Sequence, residues 1–437
     1  MASATFNVEI VASEIIKPSS PTPANLKTFK FSLLDQVSPL IYIPLVFFYP
    51  AKSDANQHHD TTKICRILKE SLSKTLTMYY PFAGRVKDHI SIECNDEGVT
   101  FTETRINCLL SDVLRNPNLD EVGKLLPIES LAAAKTGNLL LIQVNFFECS
   151  GMAIGACLVH KIADATTFSI FIKTWASIAL ESDEVAHPEL FAGATLFPPV
   201  DYELPSNANA LIQDESCVCK RFFFTASNID ALKAKIASSS VQQPTRVEAV
   251  TALIWKSAIT ASRSMGGTFS IPSLCVHGVN LRKRLSTPLL EYSVGNILSV
   301  ITAKFSETEI ELQSLILKLR KELKELKVSP EKIFCDFNEM MEARSSRGES
   351  STHIVDAYIF SSWCRMPIYK TDFGWGKPTW VSLFNTKISN SIVLMDAREG
   401  GGIEAWVTLC EEKMAIFENN EELLSFASVN PNVFEMT

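Results

Sequence analysis

The chain has 437 residues, of which 46% are hydrophobic and 21% are charged, so its composition is that of a globular protein and excludes a disordered one. A chain of this length is longer than a domain with a single hydrophobic core usually is, so we expect two domains. A net charge of −8 without an evident basic face argues against nucleic acid as a partner.

Secretion and membrane insertion are not expected either. Residues 1–5 lack the basic and apolar regions of a signal peptide, and no stretch reaches the roughly 18 apolar residues of a membrane span. The longest strongly apolar run, Leu40–Tyr49, is interrupted by Pro44, which predicts an edge or bulged strand. Eleven scattered cysteines indicate reduced thiols, so a cytoplasmic location is expected. We also expect a monomer.

The first half of the chain alternates between strand and helix patterns. Asp60 is placed to cap a helix whose apolar stripe contains Ile64, Leu68, Leu72 and Leu76. Ala165–Leu180 has apolar residues at helical spacing. Alternating or continuous apolar runs predict strands at Val8–Ile15, Lys27–Phe31, Ile90–Cys94, Val99–Thr104, Leu139–Phe147 and Met152–Val159.

Periodicity disappears between Ser182 and Cys219, where several prolines lie among polar residues. This predicts a crossover linker at 182–219 between an N-terminal domain, 1–181, and a C-terminal domain, 220–437. The second half is predicted to contain a strand at Lys220–Thr225, helices at Asn228–Ala237 and Thr245–Ser264, and an amphipathic helix from Leu312. That last helix either packs on its own domain or pairs as a coiled coil. Asn338–His353 is predicted to be a mobile surface loop.

A histidine and an aspartate stand where the Met152–Val159 strand meets the following helix. His160 and Asp164 form a His-x-x-x-Asp pattern at this junction, from which side chains can project into a cleft. A neutral imidazole there can take the proton of an attacking alcohol. The simpler alternative is a core histidine followed by an aspartate that caps the helix.

The segment Asp372–Gly376 reads Asp-Phe-Gly-Trp-Gly, a specific pattern that indicates a rigid aromatic turn. It shares three letters with a kinase motif, but no other kinase segment is present, and the third glycine of a dinucleotide fingerprint is missing. Covalent catalysis is disfavoured because Ala153 stands at the nucleophile position of Gly151–Gly155, although Cys149 and Cys157 are near in sequence. The histidines and cysteines show no metal-ligand spacing.

Together the two patterns identify the chain as resembling the BAHD family of plant acyl-CoA-dependent acyltransferases. Further matches run nearly end to end, at Tyr80–Arg85, Cys94–Asp96, Phe147–Cys149, Val279–Arg282, Val294–Asn296 and Ser361–Arg365. Within the family, Ser19–Pro23, Phe197–Asp201 and Leu394–Asp396 resemble the alkaloid O-acetyltransferases. The resemblance implies an α/β fold with two chloramphenicol-acetyltransferase-like domains. Each would be a mixed β-sheet with flanking helices, and the active-site channel would lie between them.

The resemblance also implies roles for individual residues. His160 would be the general base, and Asp164 would pair with Arg282 to shape the cleft. Asp372 is often given as a second catalytic position, but its place before two glycines indicates a hydrogen-bonding anchor of a tight turn. Trp363 would either steady the oxyanion through its indole N–H or be a core aromatic.

Ser361 keeps the hydroxyl that some relatives carry on threonine. Thr245, Arg246 and Asn296 match segments near the CoA side. The expected reaction is direct transfer of an acyl group, with acetyl-CoA the expected donor, to a hydroxyl of a plant alkaloid. No cofactor beyond the acyl-CoA co-substrate and no metal is expected. N-acylation, malonyl-CoA or hydroxycinnamoyl-CoA as donor, and a non-catalytic small-molecule binder remain alternatives.

Overall fold

A computed structural model of the chain describes residues 5–51, 60–128, 137–201, 216–265, 271–285, 291–329, 332–333, 335 and 355–436. Two large mixed sheets and one small sheet form its framework, each large sheet with helices packed against it. The predicted fold class is therefore confirmed. The predicted surface loop Asn338–His353 lies outside the described residues. Among the described helices, none combines the length and the apolar character needed to span a bilayer.

The first large sheet has six strands in the described part of the chain, in the order β1-β6-β7-β8-β3-β13. Only β6 and β7 run parallel; the other neighbours are antiparallel. The predicted buried strand before His160 is confirmed as β8. The strands are β1 (Val8–Ile16), β3 (Tyr42–Tyr49), β6 (Val99–Ile106), β7 (Leu140–Phe147), β8 (Met152–Val159) and β13 (Trp380–Ser382).

The apolar strand β3 corrects the expectation of an edge or bulged strand. It lies between β8 and β13 and is buried along its whole length. The prediction holds only at Pro44, which pairs with Cys157 on one side while β13 covers only Val46–Phe48 on the other. A proline is tolerated there because no strand on its second side offers a carbonyl that would require a backbone N–H at this position.

The second large sheet has the order β11-β10-β12-β14-β15-β9-β16 across the described residues, with β10, β12 and β14 parallel to one another. Its strands are β9 (Cys217–Phe224), β10 (Ser273–Asn280), β11 (Leu298–Phe305), β12 (Asp356–Ser362), β14 (Ser391–Asp396), β15 (Ile403–Cys410) and β16 (Ser428–Val429). The small sheet joins β2 (Thr28–Lys30), β4 (Arg85–Val86) and β5 (Ser91–Glu93).

Helices cover both large sheets. They are α1 (Leu33–Val37), α2 (Thr61–Met78), α3 (Leu110–Arg115), α4 (Leu119–Gly123), α5 (Ala165–Ala179), α6 (Ala192–Leu196), α7 (Ala226–Ile236), α8 (Arg246–Ser264), α9 (Leu312–Glu325), α10 (Glu411–Phe417) and α11 (Glu421–Leu424). Asp60 caps α2 by accepting from the N–H of Lys63. Helix α9 packs on β11 and α8, so it covers its own half rather than forming a coiled coil.

Helices α2 and α5 are fastened to each other by a buried tryptophan. The Trp175 indole Nε1 donates to the Leu68 carbonyl at 3.1 Å and to Ser71 Oγ at 3.0 Å. Buried tryptophans usually need such a partner, because an unmet N–H in an apolar core is costly. The contact fixes α5, whose first turn follows His160, against α2.

A second buried contact, centred on Glu404, joins the two halves of the sequence. Trp380 of β13 belongs to the first sheet but donates its indole N–H to Glu404 Oε2 of β15 at 3.1 Å. The same Glu404 oxygen accepts from Arg221 Nη1 of β9 at 2.8 Å, and the guanidinium lies 4.9 Å from the Trp380 ring. This buried pair therefore ties a short strand of the first sheet to the second sheet.

Gly155 of β8 is a position where this framework leaves no room for a side chain. A Cβ added there would lie 2.1 Å from the Leu125 carbonyl oxygen, which is backbone and cannot swing away. We expect Gly155→Ala to lower the free energy of unfolding by about 1–3 kcal/mol through overpacking. Gly278→Ala is the matched control, since its Cβ would meet only the Phe360 carbonyl oxygen, at 3.7 Å. Urea unfolding of both variants measures the difference, and equal midpoints would contradict the expectation.

Candidate active site

His160 directly follows β8 and is held by backbone contacts before its side chain is considered. Its N–H donates to the Ile41 carbonyl at 2.7 Å, and its carbonyl accepts from the N–H of Ala163 at 3.3 Å. The chain then turns, and Asp164 begins α5. A strand and a helix on either side thus hold the backbone of His160 at the strand-to-helix junction that the sequence pattern predicted.

Asn296, from the connection between β10 and β11, determines how the imidazole is protonated. Its Nδ2 donates to the His160 carbonyl at 2.7 Å and to Asp35 Oδ1 at 2.9 Å. Because both partners are acceptors, the amide oxygen must be the atom 3.0 Å from His160 Nδ1. Nδ1 therefore carries the proton and donates, and the lone pair is on Nε2. Within the described residues, Nε2 has no hydrogen-bond partner.

The surroundings keep this imidazole neutral. Burial lowers the pKa of His160 below its ordinary value, and this outweighs the hydrogen bonds and the nearby carboxylates of Asp164 and Asp35, which favour the charged form. A histidine of ordinary pKa, about 6.5, is already mostly neutral at pH 7. The lowered pKa makes the unprotonated Nε2 available at neutral pH, as a general base requires.

Asp164 performs both tasks that its sequence position allowed. Its Oδ1 accepts from the N–H of Thr167 at 2.8 Å and so caps α5. Its two oxygens also face the Arg282 guanidinium, at 2.6 Å from Nη1 and 3.1 Å from Nη2. The predicted ion pair is thus present, is almost fully buried, and has the two-pronged geometry that arginine favours. The carboxylate is occupied by these partners, so it is not a proton acceptor for a substrate.

Arg282 gathers the segment that carries Asn296. Its Nη2 also donates to Thr167 Oγ1 and to the carbonyls of Ser293 and Gly295, at 2.9, 3.0 and 3.2 Å. The residues around Ser293 and Gly295, just before Asn296, are thereby held against the first turn of α5. This is how a residue 136 positions away from His160 reaches its imidazole.

Asp372 is found as the anchor of a turn. Its Oδ1 accepts from the N–H groups of Gly374 and Gly376 at 2.8 and 2.9 Å, and both glycines have positive φ, +107° and +105°. Phe373 packs edge-on against Trp175 and stacks with Trp375. No contact between Asp372 and His160 appears among the described residues. The geometry supports the turn-anchor hypothesis over a chemical role.

Trp363 and Ser361 lie at the end of β12 and contact each other. The Trp363 ring is buried, and its Nε1 donates to Ser361 Oγ at 3.0 Å. The indole N–H is therefore engaged with a side chain of the protein. The half-buried Ser361 hydroxyl, which accepts that bond, still has its own hydrogen to donate.

The three residues predicted on the CoA side are not brought together. Thr245 caps α8 through a reciprocal pair with Glu248. Arg246 donates to the Gly401 carbonyl at 2.7 Å and to Asp396 Oδ1 at 3.0 Å. Asn296 has no exposed surface and its amide is used by His160 and Asp35. The geometry therefore places Asn296 in the histidine site and gives no support to a donor contact.

Of the two cysteines that lie near His160 in sequence, Cys157 is a poor nucleophile. Cys157 is fully buried in β8, and burial raises the pKa of its thiol well above the ordinary value. Cys149 Sγ accepts from the N–H of Leu110 at 3.4 Å. In the part of the chain that the structure describes, no group of three or more metal-ligating side chains is found.

Sequence reasoning missed Asp35. The order Ser32-Leu33-Leu34-Asp35 carries a visible helix-start signal, and the structure shows the corresponding capping box on α1. That signal predicts only the local helix. The second use of the carboxylate, on Asn296, depends on a residue 261 positions away and has no local signature.

Comparison with known proteins finds relatives that are similar to this chain over most of its length. The chain is 42% identical to akuammiline synthase 1 of Alstonia scholaris over 96% of this chain and 97% of that protein. It is 39% identical to a 17,18-epoxy-17-hydroxycur-19-ene N-malonyltransferase of Strychnos nux-vomica, covering 98% and 92% of the two chains. It is 35% identical to stemmadenine O-acetyltransferase of Catharanthus roseus, covering 94% and 96%.

A solved structure and a family model extend the match over the whole fold. The crystal structure of vinorine synthase superposes with a TM-score of 0.84 at 35% identity, covering 97% of this chain and 99% of that one. The model of the Transferase family matches residues 6–424. The chain therefore belongs to the Transferase family of plant BAHD acyltransferases, and it is an acyltransferase with acyl-CoA as its co-substrate.

Proposed function

We propose that this protein transfers an acetyl group from acetyl-CoA to a hydroxyl of a plant alkaloid, with His160 as the general base. One observation carries the proposal. The imidazole is kept neutral by burial, its Nδ1 is held by Asn296, and its Nε2 is left without a partner among the described residues. This is the arrangement needed to accept a proton from an alcohol.

The reaction is a direct transfer within a ternary complex. The acceptor hydroxyl gives its proton to His160 Nε2 as its oxygen bonds to the thioester carbonyl carbon. The tetrahedral intermediate then collapses, the carbon–sulfur bond breaks, and the CoA sulfur leaves with the proton from the imidazolium. The thioester is consumed, an ester and free CoA are formed, and the base is regenerated.

The oxyanion of that intermediate needs a hydrogen-bond donor. We assign this role to the pair formed by Trp363 and Ser361. Because the indole N–H donates to Ser361 Oγ, it polarises that hydroxyl, which then directs its own hydrogen to the oxyanion. The tryptophan thus contributes through the serine in this geometry.

A covalent acyl-enzyme is not part of the mechanism. The thiolate of Cys157 is disfavoured by burial, and Ala153 occupies the position that a nucleophilic serine would need. The two substrates are therefore inferred to meet in a channel between the halves 1–181 and 220–437. Thr245 and Arg246, at the N-terminal end of α8, are proposed to lie on the donor side of that channel.

Donor choice is argued from charge. A malonyl group would carry a carboxylate that needs a cation in the donor pocket, since an unpaired buried charge is expensive. Two cations of the C-terminal half that could pair with it have solvent-exposed side chains. Lys377 is exposed, and Arg398 is 47% exposed beside Glu399. The N-malonyltransferase among the relatives keeps N-acylation with malonyl-CoA as the second candidate.

We further propose a cytoplasmic monomer. All eleven cysteines are free thiols, which suits a reducing compartment. Light scattering of the purified protein and the location of a fluorescent fusion test these two statements separately.

Donor and acceptor are tested together by competition. Purified protein is given acetyl-CoA and malonyl-CoA at equal concentration with a panel of hydroxylated and amine-bearing indole alkaloids. We expect O-acetylated products by mass spectrometry. A tenfold preference for malonyl-CoA, about 1.4 kcal/mol in transition-state binding, would reject the acetyl assignment. An N-acyl product would establish the second candidate instead.

His160→Ala should lower kcat on the order of 10²–10⁴-fold, because it removes the proton acceptor. In the wild type, kcat/KM should fall as pH falls through the pKa of His160, since only the neutral form is active. Burial lowers that pKa, so the acid limb should lie below about pH 6.5. Circular dichroism of the variant serves as the folding control. Unchanged kcat would remove His160 from the mechanism.

Asp164→Ala should lower the free energy of unfolding by about 3–5 kcal/mol, because it leaves the Arg282 charge buried and unpaired. Glu70→Ala is the matched control. Its ion pair with Arg66 is exposed, at 59% and 62%, and such pairs contribute about 0–1 kcal/mol. Denaturant unfolding compares the two, and equal losses would show that the Asp164 pair adds nothing beyond a surface pair.

A further inference from the structure

We propose that Asp35 is a positioning residue for the base: through Asn296, it sets the protonated nitrogen of His160. This inference rests on the proposed role of His160 in acyl transfer. Asp35 does not touch the imidazole. It lies on α1, in the N-terminal half, while Asn296 comes from the connection between β10 and β11.

The Asp35 carboxylate is buried, with 2% of the residue exposed, and both of its oxygens are fully engaged. Oδ1 accepts from the backbone N–H of Asn296 at 2.7 Å and from Asn296 Nδ2 at 2.9 Å. Oδ2 accepts from Ser32 N at 2.9 Å and from Ser32 Oγ at 2.7 Å. One oxygen thus serves the helix cap, and the other serves the histidine site.

The chemistry of an amide explains why a carboxylate is needed. An asparagine can present either oxygen or NH₂ to the imidazole, and the two orientations have nearly the same shape. An ionised carboxylate only accepts, so Asp35 Oδ1, together with the His160 carbonyl that accepts from the same nitrogen, requires the NH₂ group to face it. The amide oxygen then faces His160 Nδ1, and the lone pair is left on Nε2. The reversed amide would donate to Nδ1, so the proton of the imidazole would be on Nε2. Nε2 would then have no lone pair with which to accept a proton from the substrate.

The local backbone is built to let the carboxylate approach. Gly295 has a φ of +116°, a backbone conformation that residues with a side chain rarely adopt. A Cβ at this position would lie 3.3 Å from both Asp35 carboxylate oxygens. Its carbonyl meanwhile accepts from Thr167 Oγ1 at 2.9 Å and from Arg282 Nη2. The glycine therefore holds Asn296 between the Asp35 carboxylate and the Asp164–Arg282 pair.

Asp35 also adds negative charge near the imidazolium that forms during the reaction. The other charged groups around the site are Asp164, which is paired with Arg282, and Lys161, whose Nζ donates to the carbonyls of Gln36 and Ser38 at 3.0 and 3.4 Å. Asp164 is neutralised by a bidentate partner, whereas Asp35 has only uncharged donors in contact. Removing the Asp35 charge should therefore change the protonation of His160.

The test compares Asp35→Asn with Ser32→Ala. Asp35→Asn keeps the shape but lets the Asn296 amide turn, so kcat should fall about tenfold or more, while KM for acetyl-CoA changes less than about twofold. The acid limb of kcat/KM should move to lower pH. Ser32→Ala removes the capping hydroxyl from the same carboxylate and leaves the Asn296 contacts. It should lower Tm with kcat within about twofold of the wild type.

A double-mutant cycle with Asn296→Ala separates positioning from packing. If Asp35 acts through Asn296, Asp35→Asn should cost little further kcat in the Asn296→Ala background. Turnover is followed as release of the CoA thiol with acetyl-CoA and a hydroxylated indole alkaloid that the wild type acetylates. An equal loss of kcat in both backgrounds, or a loss in Ser32→Ala as large as in Asp35→Asn, would overturn the proposal.

A measurement on the wild type covers the case in which Asp35→Asn does not fold. Nitrogen-15 NMR of histidine-labelled protein, with the His160 signal assigned from His160→Ala, reports which ring nitrogen is protonated. We expect a proton on Nδ1 at neutral pH, and a proton on Nε2 would refute the inference. This readout needs no substrate, so it stands apart from any failure of the acyl-transfer assay, which would refute the proposed function instead.

Discussion

The site depends on one carboxylate that is shared between a helix and a buried arginine. Asp164 accepts from the first turn of α5, from the Arg282 guanidinium, and from the N–H of Ile297 at 3.1 Å. These donors come from both halves of the sequence, and a buried carboxylate is tolerated only when it is satisfied in this way. The charge that starts α5 thus also holds the segment carrying Asn296 in place.

The arrangement separates charge balance from proton transfer. The carboxylate nearest in sequence to His160 is neutralised by Arg282, so it orders the structure and is not a chemical partner of the imidazole. The imidazole instead contacts an uncharged amide, which orients it without making it strongly basic. A neutral histidine within a buried setting is the result, and this is the protonation state that an alcohol-activating base needs at neutral pH.

A second tie keeps the two halves in register. Glu404 accepts from Arg221 within the second sheet and from Trp380, whose strand completes the first sheet. The Trp380–Glu404 contact and the Asp164–Arg282 contact involve different strands and helices. Two separate ties between the sheets limit how far His160 and the Ser361–Trp363 pair, which come from different sheets, can move relative to each other.

Much of the local structure was determined by the sequence alone. The strand Met152–Val159, the cap at Asp60 and the turn at Asp372 followed from apolar period, cap chemistry or a conspicuous motif, all of which involve neighbouring residues. The Asp164–Arg282 pair joins residues 118 positions apart and was implied by the family resemblance alone. Periodicity and capping act within a few residues, so a linear pattern contains the information needed to predict them.

Only the tertiary structure decided the environment of the base. The family resemblance placed Asn296 on the CoA side and left Trp363 as either an oxyanion donor or a core aromatic, and nothing in the sequence indicated a role for Asp35. In the structure Asn296 contacts His160 and Asp35, and the Trp363 indole donates to Ser361. The sequence also could not show that Trp380 joins the first sheet. Each of these contacts joins side chains or strands that packing brings together, and several span more than a hundred residues. A hydrogen bond between distant residues leaves no periodic pattern in the sequence. Local sequence therefore determines the helices and strands, whereas packing determines the hydrogen bonds and the protonation of the side chains at the site.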